Sequence, residues 1–209
     1  MEHTVAHDRD IREPLFDFLE KQYGKIRIIE EKMMGRSRAD VVMVIEGAVV
    51  GLEIKSDADT YARLARQVRD YSRYFDYNYV VVGTSHAMHI EEHVPPYFGI
   101  ITVEFVGDEA DLYILRRPAK SPEFDIALKL QILWRPELNR LLDLNCLPAY
   151  RQKSKAYIRK VLLDRVMPNT LNSQISEMLF ERDYSTIEEQ MESARKRVSG
   201  RRKGGRKWR

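Results

Sequence analysis

Asp40, Glu53 and Lys55 are two carboxylates and an amine, spaced as Asp, twelve residues, then Glu-x-Lys. That set suits a divalent cation held beside a phosphodiester. Mg²⁺ takes one or two carboxylates and fills its remaining positions with water and phosphate oxygens. An ion so held can polarise a phosphoryl oxygen and activate a water. A neighbouring amine can orient that water or stabilise charge developing on the phosphate. Chance occurrences of the pattern are common. The bland alternative is an aspartate at a strand start and a surface Glu–Lys pair. The three carry chemistry only if the fold brings them to one face.

The flanking residues give that geometry. Val41-Val42-Met43-Val44-Ile45 and Val49-Val50-Gly51-Leu52-Glu53-Ile54-Lys55 are short, apolar and rich in β-branched residues, and read as strands. Glu46-Gly47 between them is a turn signal, since glycine accepts the positive φ of a tight hairpin. In a two-residue loop at 46–47, facing residues have numbers adding to 93, so Asp40 stands opposite Glu53. Directly opposed side chains share a face, with Cβ atoms about 5 Å apart. Lys55, two residues on, projects to the same face. A loop of odd length would shift the pairing by one and separate the carboxylates. Like charges opposed across a ladder repel, and a Mg²⁺ or Mn²⁺ ion would offset that.

A helix is expected next, with Ser56-Asp57 as its cap and acids at 57 and 59 near its positive end. Tyr61, Leu64, Val68, Tyr71 and Phe75 recur at helical spacing as a core-facing stripe. Gln67 and Tyr71 are neighbours on one helix face. Arg63, Arg66, Arg69 and Arg73 form a basic ridge suited to phosphate contacts, Arg63 and Arg66 foremost, or else a solvated face.

Strand-Asp40, hairpin, Glu53-Ile54-Lys55, then a helix carrying Gln67-x-x-x-Tyr71 resembles the PD-(D/E)XK, restriction-endonuclease-like nucleases, and the QxxxY element resembles their RecB-like branch. The longer run Glu53-Ile54-Lys55-Ser56-Asp57-Ala58-Asp59-Thr60, with Phe75-Asp76, Val81-Val82-Gly83…His86, Asp10-Ile11-Arg12 and Leu133-Trp134-Arg135, is similar to one group of small bacterial proteins in that superfamily. The resemblance implies an α-β-β-β-α-β core with a mixed sheet, a divalent metal and phosphodiester hydrolysis. It implies Asp40 and Glu53 as metal ligands, Lys55 as the catalytic lysine, and Gln67 and Tyr71 as accessory site residues. Ala39 stands where the family name has proline; that proline brings no metal-binding group.

A further acid is open. Ile26-Arg27-Ile28-Ile29-Glu30-Glu31 reads as a first strand, with Glu30 and Glu31 on opposite faces. The resemblance favours Glu31 as a metal ligand, and Glu13 is another candidate; each is otherwise a solvated or capping charge. His86, His89 and His93 would share a face of a continuous helix and could then hold Zn²⁺. Doubtful helical continuity and the lack of a nearby cysteine favour structural or exposed histidines instead. His86, at a strand end, could approach the nuclease site.

The 209 residues suffice for one good core plus an appendage. One cysteine, Cys146, excludes an internal disulfide and suits a reducing, cytoplasmic setting. The first ten residues are polar, unlike a secretory signal. No uncharged apolar run reaches the roughly 18–20 residues that span a bilayer. Nine Lys or Arg and no acids lie between Arg195 and Arg209; taking that +9 from the net +3 leaves −6 on the rest. Such a tail, with Arg201, Arg202 and Lys203 at its centre, suits sequence-independent attraction to nucleic acid, or simply solubilises the terminus.

The expected organisation is an α/β nuclease-like core over 1–118, a helical extension over 119–198 and a basic tail over 199–209. Helices are expected at 8–22, 124–133, 136–144, 154–166 and 170–198, and later strands at 79–83, 99–105 and 111–116. The extension would cover a sheet edge, mediate homodimerisation or shape a substrate groove. The function expected is a Mg²⁺- or Mn²⁺-dependent nuclease acting on DNA. Its rival is a catalytically silent nucleic-acid-binding or assembly protein of the same fold, in a repair, defence or mobile-element system.

Overall fold

The computed structural model describes residues 7–56, 59–107 and 109–182. The chain opens with α1 (Asp8–Tyr23), whose N-cap His7 N–H donates to Asp10 Oδ2 at 2.9 Å. Ile11, Leu15 and Leu19 form its buried stripe, and Gly24, at φ +74, ends it. Three antiparallel strands follow: β1 (Arg27–Met34), β2 (Ser37–Ile45) and β3 (Ala48–Lys55). The helix α2 (Leu64–Tyr74) carries the chain over to β4 (Tyr77–Gly83), parallel to β3. A short turn of helix, α3 (Thr84–Ala87), precedes β5 (Gly99–Val106) and the antiparallel β6 (Glu109–Arg116). The result is a mixed six-stranded sheet in the order β1-β2-β3-β4-β5-β6. Its first six elements run α-β-β-β-α-β, the order implied by the resemblance.

Strand alternation divides the core in two. Val41, Met43, Val50, Leu52, Ile54, Tyr79 and Val81 pack beneath α1. Val42, Val44, Val49, Val80 and Val82 face α2 and the C-terminal helices α4 (Ile126–Lys129), α5 (Arg135–Leu144), α6 (Lys155–Arg165) and α7 (Pro168–Phe180). β3 and β4 are buried on both faces, which explains their continuous apolar sequence.

Some expected boundaries move. Ser56 does not cap α2: its N–H and hydroxyl bond Asp59, a 3₁₀ turn occupies Tyr61–Arg63, and the α-helix starts at Leu64. The helix expected over 170–198 starts earlier, with Pro168 in its first turn, and stops at Phe180; residues 183–198 lie outside those described. Among the described residues no helix is long and apolar enough to cross a membrane.

Gly51 shows why β3 and α2 lie so close. A Cβ there would overlap the Phe75 ring and come 2.6 Å from the Tyr71 ring. Gly51→Ala is expected to cost about 1–3 kcal/mol through overpacking. Thermal unfolding followed by circular dichroism should show a lower Tm with the native spectrum retained at 20 °C.

Candidate metal and phosphodiester site

Five residues expected from the sequence converge at the open end of the β2–β3 hairpin. The ladder runs from Ile45↔Ala48 to Val41↔Leu52, every pair adding to 93, around a two-residue turn with Gly47 at φ +72. One step further, where Asp40 would face Glu53, the strands part. The Tyr71 hydroxyl fills the gap: it accepts from Asp40 N at 3.2 Å and donates to Leu52 O at 3.0 Å. Asp40 Oδ2 accepts the Ile54 N–H at 2.9 Å. The carboxylate thus replaces a ladder partner, and strand parting is built in rather than frayed.

The parting has a partner on β1. Strict alternation would put Ala39 and Val42 on opposite faces, yet both lie in the core facing α2. The break coincides with Glu31, a non-glycine residue at φ +54 that the β1–β2 register sets opposite Asp40. Side chains rarely accept that conformation, so something must hold it. Arg12 does so: its guanidinium donates to Glu31 at 2.7 Å, Glu30 at 2.8 Å, Asp8 at 2.8 Å and the Asp40 carbonyl at 3.2 Å. Burial works against that charge, but the hydrogen bonds from Asp8 and Glu30 outweigh it and the guanidinium is held more firmly protonated.

Glu53 is the centre of the site and is 2% exposed. Its Oε1 accepts from Lys55 Nζ at 2.5 Å and from Gln67 Nε2. Its Oε2 is buried without a hydrogen-bond partner, as is Gln67 Oε1. A buried carboxylate oxygen with no donor is costly unless something binds it. Asp40 feels the same pressure: burial, then the Glu53 charge, push its carboxyl up to about 7. Burial and the charges of Glu53 and Asp40 also push the Tyr71 hydroxyl up, keeping it a neutral donor.

These groups fit a divalent cation. Two carboxylates, one with an orphaned oxygen and one reluctant to ionise, are the donor set that Mg²⁺ or Mn²⁺ would relieve. No group of three or more His, Cys, Asp or Glu poised for a metal occurs among the described residues. Any ion here would therefore complete its shell with water, substrate or backbone oxygen.

The site floors a polar cleft of about 480 Å³. Arg63 and Arg66 line it from the α2 side, Arg36 and Arg38 from the β1–β2 turn, and Asp8 and Asp59 near the rim. Glu31 lines it too, but its two oxygens are held by Arg12 and Arg38, at 2.7 and 2.5 Å. Arg201, Arg202 and Lys203 lie outside the described residues. Glu13 lies in a separate groove between α1 and β6. The helix beginning at Thr84 stops at Ala87; His86 and His93 flank the Tyr61 ring at 4.9 and 4.3 Å instead of converging.

Arg12 and Asp8 were not singled out as site residues in the sequence. Arg12 sits in the Asp10-Ile11-Arg12 opening, but nothing in linear spacing distinguishes it from a solvated helix arginine.

Among solved structures, SfsA of Pyrococcus furiosus, determined in complex with Ca²⁺, is similar with a TM-score of 0.33 and 12% identity. The likeness covers 55% of this chain and 62% of that one, so this chain spans less than two thirds of SfsA. No curated protein matches the sequence. The family model for bacteriophage P4 protein cII matches residues 1–201, a span containing the sheet, the cleft and all the C-terminal helices, and the chain belongs to that family.

Proposed function

We propose that this protein is a divalent-metal-dependent nuclease of the PD-(D/E)XK type, acting on DNA. The observation that carries the reading is the buried Glu53 carboxylate. One oxygen is saturated by Lys55 and Gln67, and the other is unpartnered beside Asp40. Asp40 and Glu53 would hold Mg²⁺ or Mn²⁺, which when bound supplies Lewis-acid polarisation of a phosphoryl oxygen. Lys55 keeps an ammonium against Glu53 for charge developing on the phosphate. Gln67 fixes the Glu53 rotamer, and Tyr71 holds the strands apart so that Asp40 reaches the cleft. Arg63 and Arg66 bring phosphate contacts. The basic tail around Arg201, Arg202 and Lys203 adds sequence-independent attraction.

Supercoiled plasmid, single-stranded DNA and RNA incubated with Mg²⁺ or Mn²⁺ test the reading. Metal-dependent cutting, abolished by EDTA, is expected on DNA. Tight binding with no cutting, unchanged by Asp40→Ala, would instead establish a catalytically silent nucleic-acid-binding protein.

The Asp40 carboxyl also makes a stability prediction. Its folded pKa, about 7, lies above the ordinary 3.8. The folded state therefore binds more protons between those values, and this contribution to stability is lost as pH rises through about 7. Asp40→Asn removes the penalty and can still accept the Ile54 N–H. Without divalent metal it should stabilise the protein by about 2–4 kcal/mol at pH 8. The gain should shrink as pH falls toward 4, as urea unfolding at several pH values would show.

A further inference from the structure

The sheet is covered unevenly. Helices α2 and α4–α7 pack over the β1–β4 part of one face and leave its β5–β6 end open. On that bare face Tyr113 is 67% exposed, Leu115 50% and, at the β5–β6 turn, Val106 70%. The opposite side of β6 is closed by packing, with Ala110, Leu112 and Ile114 against the core beneath α1. β6 is also the last strand of the sheet, and no strand pairs its outer edge among the described residues. Proteins usually protect such an edge with proline, lysine or a very short strand. β6 is eight residues long and contains neither residue.

We propose that β6 pairs antiparallel with β6 of a second copy of this chain, making a two-fold dimer with a continuous twelve-stranded sheet. The sequence selects the register. A two-fold axis normal to the sheet keeps each face on its own side, so opposed residue numbers must have an even sum. A sum of 228, centred on Ile114, sets Tyr113 against Leu115 of the second copy and Asp111 against Arg117. Both apolar side chains are thereby covered and both end charges, exposed in the single chain, find opposites. Moving the centre to Tyr113 would put Asp111 against Leu115 and lose both matches. This edge lies apart from the cleft, and the dimer does not depend on the nuclease reading.

Size-exclusion chromatography with light scattering on the full chain tests the proposal. At about 50 µM, where an interface of micromolar Kd is filled, the expected mass is that of a dimer. Leu115→Lys, at an exposed position, should halve that mass without lowering Tm. In a Cys146→Ser background, protein carrying Tyr113→Cys should form a disulfide with protein carrying Leu115→Cys, and neither should crosslink with itself. A monomeric wild type overturns the proposal, as does a dimer that Leu115→Lys leaves intact. Self-crosslinking of Tyr113→Cys as fast as the mixed pair overturns the register.

Discussion

Lys55→Gln is expected to bind DNA in Ca²⁺ as tightly as the wild type while cutting it in Mg²⁺ about 10²–10³-fold more slowly, the usual cost of losing one charge-stabilising group. Lys55 is 4% exposed and its ammonium lies 2.5 Å from Glu53 Oε1. Glutamine retains a donor toward Glu53 but not the positive charge. Alanine would leave Glu53 with Gln67 alone, and stranding a buried charge costs about 3–5 kcal/mol. That loss would confuse folding with catalysis. Asp40→Asn resolves the same ambiguity from the other side. It should also abolish cutting, yet it should raise rather than lower the stability of the metal-free protein. Two variants with opposite effects on Tm and the same effect on cleavage cannot owe that effect to unfolding. A single-turnover cleavage assay beside a melting curve for each variant decides the matter. If Lys55→Gln cuts at the wild-type rate, the assignment of Lys55 fails.

The pairing of Asp40 with Glu53 was legible because a hairpin register follows from turn length. Glu46-Gly47 fixes a two-residue loop, and alternation does the rest. Gln67 and Tyr71 were legible as one helix face, but the action of Tyr71 was not. Helical periodicity predicts which way a side chain points, not that its hydroxyl will stand between two parted strands. Arg12 was hidden for a related reason. Its partners Asp8, Glu30, Glu31 and the Asp40 carbonyl come from three elements, and their convergence depends on a left-handed residue at Glu31 that no glycine or asparagine announces. The C-terminal helices were visible by their period. How they attach to the sheet was not, because the attachment is polar and buried.

That attachment carries the largest stability effect expected outside the cleft. Asp76 is 1% exposed and Lys129 fully buried. Lys129 Nζ donates to Asp76 Oδ2 at 2.6 Å, Asn172 Oδ1 at 2.7 Å and Ser176 Oγ at 3.0 Å. Asp76 also accepts the Val49 N–H at 2.8 Å and the Asn172 amide at 3.0 Å, so one carboxylate ties the start of β3 and the exit of α2 to α4 and α7. Burial lowers the Lys129 pKa and the Asp76 charge opposes that shift, so each ion is tolerated only because of the other. Lys129→Met should cost about 3–5 kcal/mol, because it leaves Asp76 charged and buried. Asp76→Asn should cost a similar amount by stranding the ammonium. The double variant should cost less than the sum of the two by about 2 kcal/mol, since neither charge is then left alone. Equilibrium urea unfolding of the four proteins measures that coupling. The sheet and the helices α4–α7 share one apolar core as well as this network, so the wild type should unfold in a single transition. An additive cycle would show that the pair contributes no mutual stabilisation. The orientation of α2, and with it the placement of Gln67 and Tyr71, would then rest on the Tyr71–Phe75 packing against Gly51 alone.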